Sequence, residues 1–138
     1  MYAKCGILMV NETEHEKPLF WIGRSYDDLL ACPPEVRRTF GFALGLAQQG
    51  GKFVDAKPLK GFGGAGVLEV VEDWQSDTYR CVYSVKFAGA VYVLHTFQKK
   101  SKTGSKTPKQ EIDLVKARLK AAEEHYKEWN AKQKKGTP

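Results

Sequence analysis

The stretch YRCVY at residues 79–83 and the stretch VYVLHTFQKK at residues 91–100 decide the fold of this protein. Both are rich in β-branched and aromatic residues, which is typical of strands. A short connection separates them, so we expect them to pair as antiparallel neighbours. Together they place one arginine, one histidine and several lysines at strand ends. A site that handles a phosphodiester requires such a grouping, and we therefore expect RNA as the ligand.

Periodicity and chain breakers predict the other elements. The first strand should be followed by two helices, with Ser25 as the N-cap of the first and Pro34 in the first turn of the second. The sequence thus predicts an α+β domain of order β-α-α-β-β-β-α, with a mostly antiparallel four-stranded sheet and a long C-terminal helix. The predicted strands lie at 18–22, 67–74, 79–87 and 90–98.

Three segments are predicted along the chain. Residues 1–16 are polar and form a weakly structured extension, residues 17–131 form the domain, and residues 132–138 form a flexible basic tail. The apolar residues of the last helix recur every three or four positions, which predicts a single stripe that packs on the domain's own sheet or, less often, on a partner. The stripe consists of Ile112, Val115, Leu119, Ala122, Tyr126 and Trp129.

The excess positive charge lies in one segment of the chain. Residues 99–138 hold 12 of the 22 lysines and arginines but only 5 of the 16 acidic residues. A localised basic surface attracts polyanions and speeds their capture in a salt-dependent way. The same lysines also suit a solvated helix face that aids solubility. Charge alone therefore indicates either nucleic-acid binding or a solubilising surface.

Cysteine usage and hydropathy exclude several classes of protein. Cys5, Cys32 and Cys81 are far apart and form no C-x-x-C pair, which argues against a disulfide framework and against a zinc site. No apolar run approaches the roughly 18 residues of a membrane span, and the amino end lacks the pattern of a signal peptide. We expect a cytoplasmic protein with no metal, no cofactor and no membrane contact.

A glycine-rich segment, GFGGAG at residues 61–66, fits the pattern G-x-G-x-x-G. That pattern binds a dinucleotide only where it follows a strand and opens a helix. Here a predicted strand follows it, so we interpret the segment as a loop. The nearby Lys57 and Lys60 either contact a phosphate or are unconstrained surface residues.

Arg80 is the first candidate for a functional side chain. Alternate residues from Tyr79 onward form the apolar face of their strand, so Arg80 lies on the opposite face in mid-sheet. There its planar, permanently charged guanidinium either binds a phosphate or pairs with Glu69 or Asp73 on the neighbouring strand.

His95 is the second candidate. By simple alternation it shares a face with Val91, Val93, Phe97 and Lys99. An imidazole can transfer protons near neutral pH, although a lone histidine among apolar neighbours is also a common structural residue. Phe97 can likewise stack on a base or pack in the core.

The order of elements and three motifs resemble the RelE/ParE superfamily of toxins from bacterial toxin–antitoxin pairs, and in particular its phage-related, HigB-like branch. The motifs are YRxxY at 79–83, LHxFxKK at 94–100 and KTP at 106–108. The resemblance covers about residues 17–127.

The resemblance implies a metal-independent, ribosome-dependent mRNA endonuclease. In such an enzyme the 2′-hydroxyl attacks the adjacent phosphate, and the reaction needs a base, an acid and nearby cations. By the resemblance, Arg80, Lys100 and Lys99 stabilise charge and His95 is the acid or base. The predicted contacts to RNA are Lys57, Lys60, Phe97, Lys102, Lys106 and Lys109.

Partners also follow from the resemblance. We expect mRNA on the ribosome and a cognate antitoxin, of the helix-turn-helix type, that forms a hetero-oligomer with the chain. Two alternatives stay open because the chain lacks the strand lysines and the tyrosine of RelE. One is a ParE-like toxin that inhibits DNA gyrase by binding, and the other is an RNA-binding module without catalysis.

Overall fold

The structure, a computed structural model, describes residues 16–63, 66–99 and 107–135. These residues form a five-stranded sheet and three helices, in agreement with the predicted α+β class. The strands are β1 (Leu19–Trp21), β2 (Lys57–Pro58), β3 (Val67–Trp74), β4 (Asp77–Ser84) and β5 (Val91–Lys99). The helices are α1 (Ser25–Leu30), α2 (Pro34–Gln48) and α3 (Lys109–Lys135).

The sheet has the order β1-β5-β4-β3-β2. β1 runs parallel to β5, and the other neighbours are antiparallel. The prediction of four strands is wrong by one strand, because β2 is two residues long and carries no periodic pattern. Its proline is tolerated because β2 lies at the edge of the sheet, where one side of the strand needs no partner.

Two hydrophobic cores cover the two faces of the sheet. On one face, α1 and α2 pack over Tyr79, Cys81 and Tyr83, which confirms the apolar face predicted for β4. On the other face, α3 packs over Val82, Tyr92 and their neighbours. The central strands β4 and β5 are therefore buried along most of their length.

α1 is attached to β5 by a buried serine. Ser25 is the first residue of the helix and not its N-cap, which is Arg24, so the predicted capping role is wrong. Its hydroxyl instead donates a hydrogen bond of 3.1 Å to the carbonyl of Val93, 68 residues away. The bond fixes the start of α1 beside the middle of β5.

α3 lies across the second face of the sheet. Val115 and Ala122 are fully buried, and the other members of the predicted stripe pack around them, so that prediction is confirmed. Towards its end, the Tyr126 hydroxyl donates to the Ala88 carbonyl at 2.7 Å. The helix extends through Lys135, four residues into the segment predicted as a tail. None of the helices in the described ranges is long and apolar enough to cross a membrane.

The pairing of β4 with β5 changes register in the middle of the strands. Val82 lies opposite His95, whereas Tyr83 lies opposite Val93, so Leu94 is an extra residue in β5. Such a β-bulge reverses the alternation of side chains beyond it. The prediction that His95 shares a face with Val93 is therefore wrong, because simple alternation assumes an uninterrupted strand.

Beyond the bulge, the side chains of His95, Phe97 and Lys99 lie on the face that α3 covers. Phe97 pairs in register with Arg80 and packs in the second core. Paired residues of antiparallel strands point to the same face, and so do residues two apart on one strand. The bulge thus places the candidate histidine and the candidate arginine on one face of the sheet.

Gly66, the last residue of the glycine-rich segment, allows close packing at the start of β3. Gly66 has φ +76°, and a Cβ at this position would lie 3.2 Å from the backbone nitrogen and Cα of Lys86. Its carbonyl accepts a hydrogen bond of 2.9 Å from the amide of Val85. The segment leads into a strand, as predicted, and no helix follows it to bind a dinucleotide.

We expect Gly66→Ala to destabilise the protein more than Gly89→Ala does. Gly89 also has positive φ, +82°, but a Cβ there would meet nothing within 4 Å. Both variants should lose roughly 1–2 kcal/mol through left-handed strain. Crowding against Lys86 should cost Gly66→Ala about 1 kcal/mol more. Urea denaturation measures the free energies of unfolding, and equal losses would contradict the close approach.

Candidate active site

Arg80 is buried beneath the start of α3, with 3% of its surface exposed. Its Nη1 donates to Glu69 Oε2 at 2.9 Å and to Thr107 Oγ1 at 3.0 Å. The Thr107 hydroxyl in turn donates to the same carboxylate oxygen at 2.5 Å. Of the two partners that the sequence offered, Glu69 is therefore the one that Arg80 pairs with. The positive charge is balanced inside the protein.

His95 is held between two charged residues of α3. Its Nε2 lies 2.6 Å from Glu111 Oε1, and its Nδ1 lies 3.3 Å from Arg118 Nη1. A guanidinium can only donate, so Nδ1 is the acceptor and the proton of the neutral ring is on Nε2. Burial lowers the pKa of His95 and outweighs the hydrogen bond to Glu111, which acts to raise it.

Arg118 is a residue that the sequence analysis did not single out. Its Nη1 also donates to the carbonyl of Leu94, the bulge residue, at 2.9 Å. The guanidinium lies against Gly23, where a Cβ would come within 2.8 Å of Arg118 Cζ. The sequence contained one indication that Arg118 has a partner inside the protein. Position 118 lies three residues after Val115 on the apolar side of α3, where a charged residue needs a partner.

Phe97 connects the two candidate groups. Its ring stacks on the imidazole of His95, with ring centroids 4.5 Å apart and planes inclined by 22°. It lies opposite Arg80 in the β4–β5 pair and is only partly buried. An aromatic ring beside a guanidinium and an imidazole can pack in the core and still offer an edge to a ligand.

An open cavity of about 570 Å³ lies where β5 extends beyond its pairing with β1. Its lining includes His95 and Phe97 from β5 and Glu111 from the first turn of α3. Asp28 of α1 is the second carboxylate in the lining, and none of the described residues that line it is a lysine or an arginine. Among the described residues, no group of three or more His, Cys, Asp or Glu side chains can hold a metal ion.

The candidate lysines are distributed over a wider area. Lys99 is buried at the end of β5, with 8% of its surface exposed, on the same face as Arg80. Lys57 is exposed on β2 and pairs in register with Glu69, and Lys60 is exposed in the following loop. Lys109 is exposed at the start of α3 and contacts Asp113 at 2.9 Å. The candidates Lys100, Lys102 and Lys106 lie outside the described residues.

The structure thus brings Arg80, His95, Phe97 and Lys99 together on one face of the sheet, and it leaves Lys60 and Lys109 at the surface. It adds Thr107, Glu111 and Arg118, which together with Glu69 hold the two candidate groups in place.

Comparisons with known proteins give a family match and a similar solved structure. Among solved structures, the crystal structure of the toxin-antitoxin complex RelBE2 from Mycobacterium tuberculosis is similar to the chain. The similarity has a TM-score of 0.41 and 19% sequence identity, and it covers 62% of this chain and 94% of that chain. No curated protein matches the sequence. A family model described as phage derived protein Gp49-like (DUF891) matches residues 27–120, more than half of the chain. The chain therefore belongs to the phage-derived Gp49-like family.

Proposed function

We propose that the chain is the toxin of a toxin–antitoxin pair and that it cleaves mRNA on the ribosome. The observation that carries the proposal is the β-bulge, which puts Arg80, His95, Phe97 and Lys99 on one face of the sheet. The sequence motifs around these residues, YRxxY and LHxFxKK, support it. The cognate antitoxin, a helix-turn-helix protein, would keep the chain inactive by covering this face or by blocking entry to the ribosome.

The proposed reaction is an attack of the 2′-hydroxyl on the neighbouring phosphate. Arg80 and Lys99, with Lys100, would stabilise the charge that builds on the phosphate oxygens. The hydrogen-bonded pair of His95 and Glu111 would transfer the proton. Phe97 would stack on a base beside the scissile bond. The surface lysines proposed to bind the flanking RNA are Lys57, Lys60, Lys102, Lys106 and Lys109.

In this proposal Glu69 competes with the substrate. Its carboxylate accepts from Arg80 at 2.9 Å, and a phosphate oxygen would need the same donor. Engagement of RNA therefore requires that the guanidinium exchange one anionic partner for another. The exchange keeps a buried positive charge paired throughout, which avoids the large cost of an unpaired charge.

A second candidate function is inhibition by binding alone, as in ParE-like toxins that act on DNA gyrase. The internal pairing of Arg80, the engagement of both ring nitrogens of His95, and the acidic lining of the cavity favour this candidate. A non-catalytic RNA-binding module fits the same observations. The candidates differ in what happens to cellular RNA after induction.

We expect two variants of the ion pair to differ in mRNA cleavage. Glu69→Gln removes the competing negative charge and should preserve or increase mRNA cleavage. The double variant Arg80→Gln/Glu69→Gln replaces the pair with neutral amides, avoids a lone buried carboxylate, and should reduce cleavage roughly 100-fold or more. Mapping of RNA 5′ ends after brief induction measures cleavage, and thermal unfolding checks that both variants are folded.

The same induction experiment separates the candidate functions. Truncated messages at ribosome-occupied positions are expected for the nuclease. A DNA-damage response with intact transcripts would identify a gyrase inhibitor, and growth arrest with neither effect would favour the RNA-binding module. Full cleavage by a folded Arg80→Gln/Glu69→Gln variant would contradict the role given to Arg80.

A further inference from the structure

Three charged or polar residues form a continuous row where α3 packs on β5. Glu111 and Arg118 are seven residues apart on the helix, which places them on the same side two turns from each other. His95 lies between them, 2.6 Å from the Glu111 carboxylate and 3.3 Å from the Arg118 guanidinium. We refer to these three residues as the α3 relay.

The two ends of the relay differ in exposure. His95 has a side chain that is 7% exposed, whereas 26% of the Glu111 side chain is exposed and borders the cavity next to Gln110. At the other end, Arg118 is held by the Leu94 carbonyl and lies against Gly23. A substrate in the cavity therefore meets the carboxylate more readily than either imidazole nitrogen.

We infer that Glu111 is the group that accepts the proton from the substrate, and that His95 and Arg118 are positioning residues that aim its carboxylate. This inference rests on the proposed RNA cleavage. Arg118 supplies a permanent donor to Nδ1, which keeps the ring proton on Nε2. That proton is donated to Glu111 Oε1, so this oxygen is fixed, and the Glu111 side chain is part of the lining of the cavity.

The proton transfer balances without a further reagent. Glu111 takes the proton of the 2′-hydroxyl as the 2′-oxygen bonds to phosphorus. The bond between phosphorus and the 5′-oxygen breaks, and the departing oxygen takes a proton from water. The carboxyl of Glu111 then returns its proton to solvent, and the products are a cyclic phosphate and a free 5′-hydroxyl.

The electrostatic surroundings keep His95 neutral in this role. Burial lowers its pKa from the ordinary value of 6.5, and Arg118 acts in the same direction. Glu111 and, from α1, Asp28 act to raise it, but burial outweighs them. A second proton would have to enter at Nδ1, where the Arg118 guanidinium already donates.

The positioning role of Arg118 can be tested by nitrogen-15 NMR on the whole chain. We expect the wild-type ring of His95 to be the neutral Nε2–H tautomer at pH 7. Arg118→Met removes the donor, so a mixture of tautomers and a higher titration midpoint are expected. Arg118→Lys keeps a cationic donor and should restore part of the wild-type behaviour. A wild-type ring protonated on Nδ1, or an Arg118→Met spectrum with unchanged tautomer and midpoint, would overturn the assignment.

The role of Glu111 can be tested by cleavage kinetics on ribosome-bound mRNA. Glu111→Gln should lower the cleavage rate roughly 100-fold or more, as expected for loss of a general base. The matched control is Glu124→Gln, an exposed position on the same helix that should cleave at the wild-type rate. If wild type cleaves and Glu111→Gln cleaves equally well, Glu111 is not the base. If wild type cleaves no RNA, the proposed function itself fails, and the catalytic role of Glu111 fails with it.

Discussion

One extra residue in β5 determines which face of the sheet carries His95, Phe97 and Lys99. Without the bulge at Leu94, strict alternation would turn His95 and Phe97 towards the core that α1 and α2 form with Tyr79 and Cys81. The imidazole would then be buried without the partners that α3 provides, at a cost of several kcal/mol. Arg118 donates a hydrogen bond to the Leu94 carbonyl, so α3 stabilises the bulge that turns His95 towards it.

α3 therefore has two functions that cannot be separated. Its apolar stripe, centred on Val115 and Ala122, supplies the second core, and its polar residues on the same side complete the site. Contacts distant from the site hold the helix in this position, among them Lys86 with Glu123 at 3.0 Å. Any displacement of α3 from the sheet would also remove Glu111 and Arg118 from His95. A partner protein that shifts this helix would consequently disassemble the site from a distance.

Much of the fold could be predicted from the sequence, because periodicity marks the elements and the apolar face of β4 directly. The ion pair of Arg80 was also within reach as one of two alternatives, since Glu69 lies on the adjoining predicted strand. The bulge could not be predicted, because no glycine or proline marks Leu94 and the register depends on how the two strands pair in the folded protein. Arg118 was overlooked for a related reason. A helical pattern shows which side of α3 faces the sheet but not which strand residue it contacts.

The distribution of charge differs between the solvent side of α3 and the side that packs on the sheet. The excess positive charge of the chain lies in residues 99–138, and many of these lysines are on the solvent side of α3. The groups beneath the helix are instead balanced, with Arg80 against Glu69 and with Glu111 and Arg118 on either side of His95. A buried ion pair contributes little to stability compared with well-packed apolar residues. Stability alone therefore gives little reason for two charged clusters on one face of a sheet. The proposed function, in which the Arg80 guanidinium exchanges Glu69 for a phosphate, gives a reason for the first of them.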